Sequence, residues 1–232
     1  MTEFDETSEA DDDASGADLD EASGTHFDDA SDAATGRDVA DAIDAAAAAI
    51  GDGEPVVYPT ETVYGLGADA LDPDAIQRVF EAKNRRRSKP LSMALPDAVV
   101  AADYTNPTER EQAFCERFLP GPVTVLLDRN DRVPDVLVAG GERVGIRVPD
   151  HDIARDLARR IGPITSTSAN RSGEPSARCI DGIDADIREQ AVVLDDGETP
   201  GTESTVVDVS GGEILRRGAN VDAIEAWLDE HL

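Results

Sequence analysis

The stretch PVVYPTETVYGLGADALDPDAIQRVFEAK, residues 55–83, carries the clearest signal of the fold class. It opens with β-branched residues that are typical of a strand, and this strand ends in glycines. Asp72 then stands directly before Pro73, as an N-cap stands before the first helical residue, and apolar residues follow at helical spacing. The stretch therefore predicts a strand followed by a helix.

The same alternation continues through the rest of the chain. Further helices are predicted at residues 37–50, 110–119, 151–162 and 221–232. Further strands are predicted at residues 90–95, 123–127, 143–148, 163–170, 191–196 and 204–218. Because strands and helices mix over roughly 200 residues, we predict one α/β domain from residue 37 to residue 232.

Residues 1–36 differ in composition from the rest of the chain. They contain no Lys or Arg, many Asp and Glu, and few large apolar side chains. Such a segment cannot bury enough apolar surface to offset the entropy lost on ordering, so we predict a disordered acidic tail. It lacks the basic and apolar regions of a signal peptide, and no later run is long enough to span a membrane, so a cytoplasmic protein is expected.

The whole chain is strongly acidic. Its 232 residues carry a formal net charge of -29, and its basic residues are almost all Arg. A surface of this kind repels itself at low salt and is screened at high salt, which predicts a salt-rich cytoplasm and disfavours loose binding to nucleic acid. Cys115 and Cys179 show no CxxC spacing, so we expect reduced thiols rather than a zinc site or a disulfide.

The run KNRRRSKP, residues 83–90, contrasts with this acidic background because it holds five cations and both lysines of the chain. If the run is extended, alternate side chains share a face. That face would carry Lys83, Arg85, Arg87 and Lys89, with Arg86 on the other side. Phosphate oxygens suit such a row, since Arg gives forked contacts and Lys a point charge. The alternative is an exposed basic segment that neutralises nearby carboxylates.

Two segments rich in hydroxyl groups are candidates for binding carboxylate or phosphate oxygens. In ITSTSANRSGEPSA, residues 164–177, strand alternation would place Ser166, Ser168 and Asn170 on one face. The alternative is an ordinary turn rich in Ser and Asn. PTET, residues 59–62, either lines a pocket or merely closes a strand.

Several classes of catalytic site find no support in the sequence. GLGADA, residues 65–70, matches GxGxxA, but the next helix begins too late for a dinucleotide site, so a glycine turn is the favoured interpretation. No GxxxxGK[ST] loop and no GxSxG elbow occur. The histidines His26, His151 and His231 do not support a nucleophilic or metal site. What remains is cations, hydroxyls and glycine loops, which position phosphates.

Six blocks of sequence follow one another along the chain between about residue 38 and about residue 220. They are YPTETVYGLGADA, KNRRRSKPL, LPGPVTVLL, RVGIRVPDH, TSTSANRSGEPSA and STVVDVSGGEILRRGA. In this order they resemble the Sua5/YrdC/YciO family, the threonylcarbamoyl-AMP synthases. The resemblance implies a single YrdC-like α/β domain, an open twisted mixed sheet flanked by helices around a basic cavity.

The resemblance also implies a reaction. L-threonine, bicarbonate and ATP, with Mg²⁺ on the phosphates, would give threonylcarbamoyl-adenylate and pyrophosphate. A separate threonylcarbamoyl transferase complex would then use the product for the t6A modification of adenosine 37 in tRNA.

The family's site residues can be placed on this chain by the same resemblance. The Lys-x-Arg and Ser-x-Asn tetrad falls on Lys83, Arg85, Ser168 and Asn170, which are the predicted catalytic residues. The implied ATP contacts are Lys83, Arg87, Arg143, Ser168, Ser176 and Arg216. The implied threonine contacts are Thr60, Arg147, Ser166 and Ser204. No residue is assigned to a metal, because Mg²⁺ is expected to arrive on ATP.

Two departures from the family pattern and two rival functions complete the prediction. Arg86 replaces a proline that usually follows Lys-x-Arg, and Met93 and Ala94 stand where many members have a histidine. The rivals are an RNA-binding module for tRNA or ribosome handling and a carbamoyl-adenylate enzyme with another acceptor, as in hydrogenase-maturation proteins. The small basic patch and the 4% content of aromatic residues disfavour RNA, and the intact tetrad favours the synthase.

Overall fold

A computed structural model of the chain describes residues 29–231, with side chains described from residue 36. Its helices are α1 (Asp29–Gly51), α2 (Pro73–Ala82), α3 (Glu109–Phe118), α4 (Asp152–Ile161), α5 (Ala185–Glu189) and α6 (Val221–Glu230). Its strands are β1 (Val56–Tyr58), β2 (Gly65–Gly67), β3 (Ser92–Ala94), β4 (Val123–Asp128), β5 (Arg143–Arg147), β6 (Ile164–Ser168), β7 (Val192–Val193), β8 (Thr205–Asp208) and β9 (Glu213–Arg216). Short 3₁₀ helices lie at Ala98–Asp103 and Ile180–Gly182.

The strands join in one sheet with the order β7-β1-β2-β6-β3-β5-β4-β8-β9. The pairs β1 with β7, β3 with β5 and β4 with β8 are parallel, and the other pairs are antiparallel. Strand β6 is antiparallel to both neighbours, with Ser166 opposite Ser92 on β3 and Ser168 opposite Gly65 on β2. The predicted α/β fold with a mixed sheet flanked by helices is confirmed.

Helices cover both faces of the sheet. Side chains alternate along the strands and pack in two apolar clusters, one on each face. On β1, Val57 packs in the cluster that contains residues of α2, α3 and α6, whereas Tyr58 packs in the cluster formed with α1 and α4. On β6, Ile164 belongs to the α1 and α4 side. Ser166 and Ser168 follow it on the same face and line a cavity at this end of the sheet.

Helix ends agree with the predictions to different degrees. Asp72 caps α2 by accepting a hydrogen bond from the backbone N–H of Asp74 at 2.9 Å, as the sequence predicts. Helix α1 begins at Asp29 rather than at Arg37, so residues 29–36 are helical and not part of a disordered tail. Their Ala and Asp content explains the extension, since Ala is the best helix former and Asp favours the first turn. The tail prediction for residues 1–28 lies outside the described residues.

The glycines of GLGADA form a strand, so the dinucleotide fingerprint and the glycine turn are both wrong. Gly65 and Gly67 lie on β2, which pairs antiparallel with β1. The PTET segment is part of the connection between these two strands. A Cβ atom on either glycine would come within 2.8 Å of the ring of Tyr58. The glycines are therefore needed because the Tyr58 ring lies across them.

Two smaller predictions concern the thiols and the membrane. Cys115 and Cys179 are both free, which confirms that they do not form a disulfide. Within residues 29–231, no helix combines the length and the hydropathy needed to cross a bilayer.

Candidate active site

The open end of the sheet face forms a cavity of about 370 Å³. Side chains from β1, β3, β4, β5, β6, β8 and β9 line it, together with the PTET segment, the loops that precede β3 and β8, and the loop that follows β6. Eight of the twelve predicted site residues are among them: Thr60, Arg85, Arg147, Ser166, Ser168, Ser176, Ser204 and Arg216. The fold thus brings together residues that are more than 150 positions apart in the chain.

Arg147 lies at the end of β5 and is only 8% exposed. Its Nη2 atom donates hydrogen bonds to Oγ1 of Thr62 at 2.7 Å and to Oγ1 of Thr60 at 3.4 Å. The same nitrogen lies 3.0 Å from Oε1 of Glu61, and Nε has no hydrogen-bond partner among the described residues. A guanidinium held in this way beside a cavity suits a ligand carboxylate.

Tyr58 and Ser166 form the wall next to Arg147. The hydroxyl of Tyr58 donates to the carbonyl oxygen of Thr165 at 3.3 Å. Burial raises the pKa of Tyr58 to about 12, so the phenol is neutral at physiological pH. This wall therefore contributes hydroxyl groups and an aromatic surface. The charges at this end of the cavity belong to Arg147 and to its neighbour Glu61.

Arg216 on the edge strand β9 links two of the predicted subsites. It donates to Oγ of Ser204 at 2.8 Å and to the Ser204 carbonyl at 3.0 Å. Arg216 also lies 3.5 Å from the carboxylate of Glu203, which accepts a hydrogen bond from Ser176 at 3.3 Å. Ser204, a predicted threonine contact, is thus in direct contact with Arg216, a predicted ATP contact.

Arg85 lines the cavity from the loop between α2 and β3. It donates to the carbonyl oxygens of Lys89 at 3.1 Å and Pro90 at 2.9 Å, which closes this loop on itself. Burial lowers the pKa of Arg85, but a guanidinium is protonated at neutral pH in any protein environment. Arg85 therefore offers a fixed positive charge to the cavity.

Lys83 has a different position from the one predicted. It is 1% exposed, does not line the cavity, and donates hydrogen bonds to the backbone carbonyls of Ser168 and, at 2.6 Å, Asn170. Its burial, and to a smaller extent the charge of Arg85, lowers the pKa of Lys83 to about 7. The structure gives no support to a phosphate contact by Lys83 and makes it a positioning residue for the segment after β6.

Asn170 also lies behind the cavity rather than in its wall. Its Oδ1 accepts a hydrogen bond from the hydroxyl of Ser168, and its Nδ2 donates to the carbonyls of Arg171 at 2.9 Å and Glu174 at 2.6 Å. Of the Ser-x-Asn pair, Ser168 faces the cavity and Asn170 orients it.

The prediction of one row of cations along residues 83–90 is wrong, because the segment is not extended. Asn84 has a φ of +47°, and the chain turns there directly after α2. Arg87 then points to Glu81, 3.2 Å away, and does not line the cavity. Arg143 is likewise outside it and donates to Asp208 at 2.9 Å. The structure gives the predicted ATP contacts of Arg87 and Arg143 no support.

Several residues of the site are missing from the sequence prediction. Tyr58, Glu203 and Leu215 line the cavity, and Glu61 contacts Arg147 from behind it. Thr62 also lines the cavity, as one of the two interpretations of the PTET segment predicts. Glu203 is the one carboxylate among the described residues that line the cavity, and no group of three or more His, Cys, Asp or Glu within residues 36–231 is placed to hold a metal.

Comparison with known proteins fits this geometry. The sequence model of the Sua5/YciO/YrdC family, described as "Telomere recombination", matches residues 48–218. The chain belongs to the Sua5/YciO/YrdC family. It is 41% identical over 174 residues to the threonylcarbamoyl-AMP synthase of Pyrococcus abyssi and 39% identical over 191 residues to that of Bacillus subtilis.

These Sua5/YciO/YrdC relatives are longer than the chain. The alignments cover 71% and 79% of this chain but 50% and 55% of the relatives, so the chain spans about half of their length. A crystal structure of P. abyssi Sua5 complexed with L-threonine has the same fold, with a TM-score of 0.75 and 38% identity. That match covers 80% of this chain and 56% of the Sua5 chain.

Proposed function

We propose that the protein is an L-threonylcarbamoyladenylate synthase. The observation that carries the proposal is that one cavity is lined by the three arginines Arg85, Arg147 and Arg216, with Arg147 among the hydroxyl groups of Thr60 and Thr62. One end is suited to an amino-acid carboxylate and the other to phosphate groups. The names of the relatives and the threonine complex of P. abyssi Sua5 support the same assignment.

The proposed amino-acid subsite lies around Arg147. The guanidinium would take the α-carboxylate of L-threonine, because it gives paired hydrogen bonds in a fixed plane. Thr60, Ser166 and Ser204 would offer hydroxyl groups to the remaining polar atoms of the substrate. This arrangement would leave the amino group of threonine free to react with bicarbonate, which gives a carbamate with loss of water.

The proposed phosphate subsite lies around Arg85, Ser168, Ser176 and Arg216. A carbamate oxygen would attack the α-phosphorus of ATP, the bond to the β-phosphate would break, and pyrophosphate would leave with its electron pair. Arg85 and Arg216 would stabilise the negative charge that grows on the phosphate oxygens, as preorganised cations do in phosphoryl transfer. Mg²⁺ would enter with ATP as part of the substrate, with Glu203 as the nearby carboxylate.

The product would be a mixed anhydride, which is reactive toward amines and water. We therefore propose that a cytoplasmic threonylcarbamoyl transferase complex consumes it, with adenosine 37 of tRNA as the final acceptor. The salt-rich cytoplasm suggested by the net charge of -29 belongs to the same proposal.

The test is a mass-spectrometric assay in high-salt buffer with ATP, Mg²⁺, bicarbonate and L-threonine. We expect threonylcarbamoyl-adenylate and pyrophosphate, no product without threonine, and no product from Arg85→Ala or Arg147→Ala. Arg132→Ala is the matched control, because Arg132 stacks on Tyr104 outside the cavity and should be as active as the wild type. A folded wild type that makes no adenylate would overturn the proposal.

RNA binding is the second candidate, because Arg86 and Lys89 are exposed in the loop that carries Arg85 and have no ion-pair partner among the described residues. It predicts tRNA binding that weakens steeply with salt and disappears in an Arg86→Gln/Lys89→Gln variant. A carbamoyl-adenylate enzyme with another acceptor would instead form its adenylate when a carbamoyl donor or a different amine replaces threonine in the assay.

A further inference from the structure

Glu61 occupies an unusual position behind the cavity. Both of its carboxylate oxygens are shielded from solvent, and neither accepts a hydrogen bond from a described residue. The carboxylate nevertheless lies 3.0 Å from Nη2 of Arg147, in an ion pair whose two side chains are 16% and 9% exposed. A buried carboxylate without hydrogen bonds is costly to keep, so the charge of Glu61 needs an explanation.

Hydrogen bonds to groups other than Glu61 already hold the guanidinium of Arg147 in place. Nη2 donates to the hydroxyls of Thr60 and Thr62, and these contacts already fix the nitrogen that faces Glu61. The carboxylate therefore adds negative charge beside Arg147 without adding a hydrogen bond. Because Glu61 does not line the cavity, a ligand would feel this charge without touching it.

The three arginines of the cavity explain why a negative charge beside Arg147 would matter. It contains Arg85, Arg147 and Arg216 within one connected space of about 370 Å³, so a polyanion could bind at any of the three. A ligand oxygen on Arg147 would lie about two hydrogen-bond lengths from the Glu61 carboxylate. In a buried site, charges at this range interact strongly. A polyanion would be repelled by Glu61, whereas a zwitterion would place its carboxylate on Arg147 and leave a positive ammonium that Glu61 attracts.

We propose that Glu61 is a specificity-determining residue that reserves Arg147 for a zwitterionic amino acid and excludes phosphate groups from that end of the cavity. This inference rests on the proposed function, because it takes Arg147 as the carboxylate subsite. Glu61 acts through its charge on Arg147 and has no contact with the substrate.

The experiment measures threonine binding by isothermal titration calorimetry, with and without inorganic phosphate as the competing anion. In the wild type, phosphate leaves the affinity for threonine nearly unchanged. In Glu61→Gln, which keeps the shape and removes the charge, phosphate competes, and the preference for threonine over phosphate falls at least about tenfold. Glu61→Asp, which restores a carboxylate, again excludes phosphate.

Glu111→Gln is the matched control for loss of a buried carboxylate. Glu111 is 3% exposed and accepts hydrogen bonds from Thr108 and Ser210 away from the cavity, so its variant loses stability but keeps phosphate out. A Glu61→Gln protein that binds threonine and rejects phosphate as the wild type does overturns the inference alone. A folded wild type that binds no threonine overturns the proposed function as well.

Discussion

Lys83 donates a hydrogen bond of 2.6 Å to the backbone carbonyl of Asn170, 87 positions further along the chain. The contact joins the end of α2 to the segment that follows β6. A second hydrogen bond, to the carbonyl of Ser168, means that the buried lysine links the end of α2 to the end of β6. The neutral amine still has two protons, enough for both carbonyls, so both hydrogen bonds survive loss of the charge.

The lowered pKa of Lys83 predicts a pH dependence of stability. The folded protein releases the proton near pH 7, whereas the unfolded chain keeps it to about pH 10.4. Because the unfolded state binds more protons in this window, the free energy of unfolding rises with pH above 7, by at most about 1.4 kcal/mol per pH unit from this group. Urea unfolding of the wild type and of Lys83→Met at pH 7.0 and 8.5 measures how the free energy of unfolding changes with pH. Equal pH slopes in the two proteins would show that the lysine is charged when folded.

Arg147→Lys should weaken threonine binding by roughly 10- to 100-fold, since it replaces a forked donor by a point charge and removes contacts to a charged group. Affinity for ATP should stay at the wild-type value, because the phosphate subsite is formed by other side chains. Calorimetric titration with each ligand separately measures both effects. Unchanged threonine affinity would remove Arg147 from the proposed subsite.

Gly65→Ala should destabilise the fold by about 1–3 kcal/mol, because the new Cβ lies 2.8 Å from the ring of Tyr58 in a packed region. Gly36→Ala is the control, since no atom lies within 4 Å and Ala is favoured in a helix by up to about 1 kcal/mol. Chemical denaturation compares the two. If both variants had wild-type stability, the Tyr58 ring would have room to move.

Arg143→Gln separates a structural ion pair from an ATP contact. Hydrogen bonds that Arg143 donates to the carboxylate lower the pKa of Asp208. The ion pair is only partly exposed, so its loss should cost about 1–2 kcal/mol at pH 7. This contribution is present above the ordinary Asp pKa of about 4 and fades as the pH falls below it. The KM for ATP should not change. A large rise in that KM at wild-type stability would restore Arg143 to the nucleotide site.

Salt should stabilise the protein, because a net charge of -29 repels itself until ions screen it over a few ångströms. We expect the thermal midpoint to rise steadily between about 0.1 M and 2 M KCl, where the screening length falls from about 10 Å to below 3 Å. An unchanged midpoint across this range would argue against a salt-rich environment.

The sequence predicts the helices and strands well because capping and periodicity are local. Asp72 shows this, since the prediction of its role needs only the residues that follow it. Sequence periodicity fails at Lys83, because the left-handed backbone of Asn84 ends the alternation on which the row of cations depended. A turn of one residue decides which way each cation points.

Resemblance to a family predicts which residues gather at the site but not what each one does there. Arg147 and Ser168 line the cavity as expected, whereas Asn170 supports it from behind. Glu61 stands inside the PTET segment, yet its role depends on Arg147, which is distant in sequence. Such roles follow from long-range packing and are not contained in any single segment.

Strand β6 has an implication for how this protein can change over evolutionary time. Ser166 and Ser168, one in each proposed subsite, are two residues apart on it, which fixes a spacing of about 6.6 Å between their backbones. A single inserted or deleted residue in this strand would turn every later side chain to the opposite face. We therefore expect homologous chains to vary here by replacement of side chains and to keep the length of the strand constant.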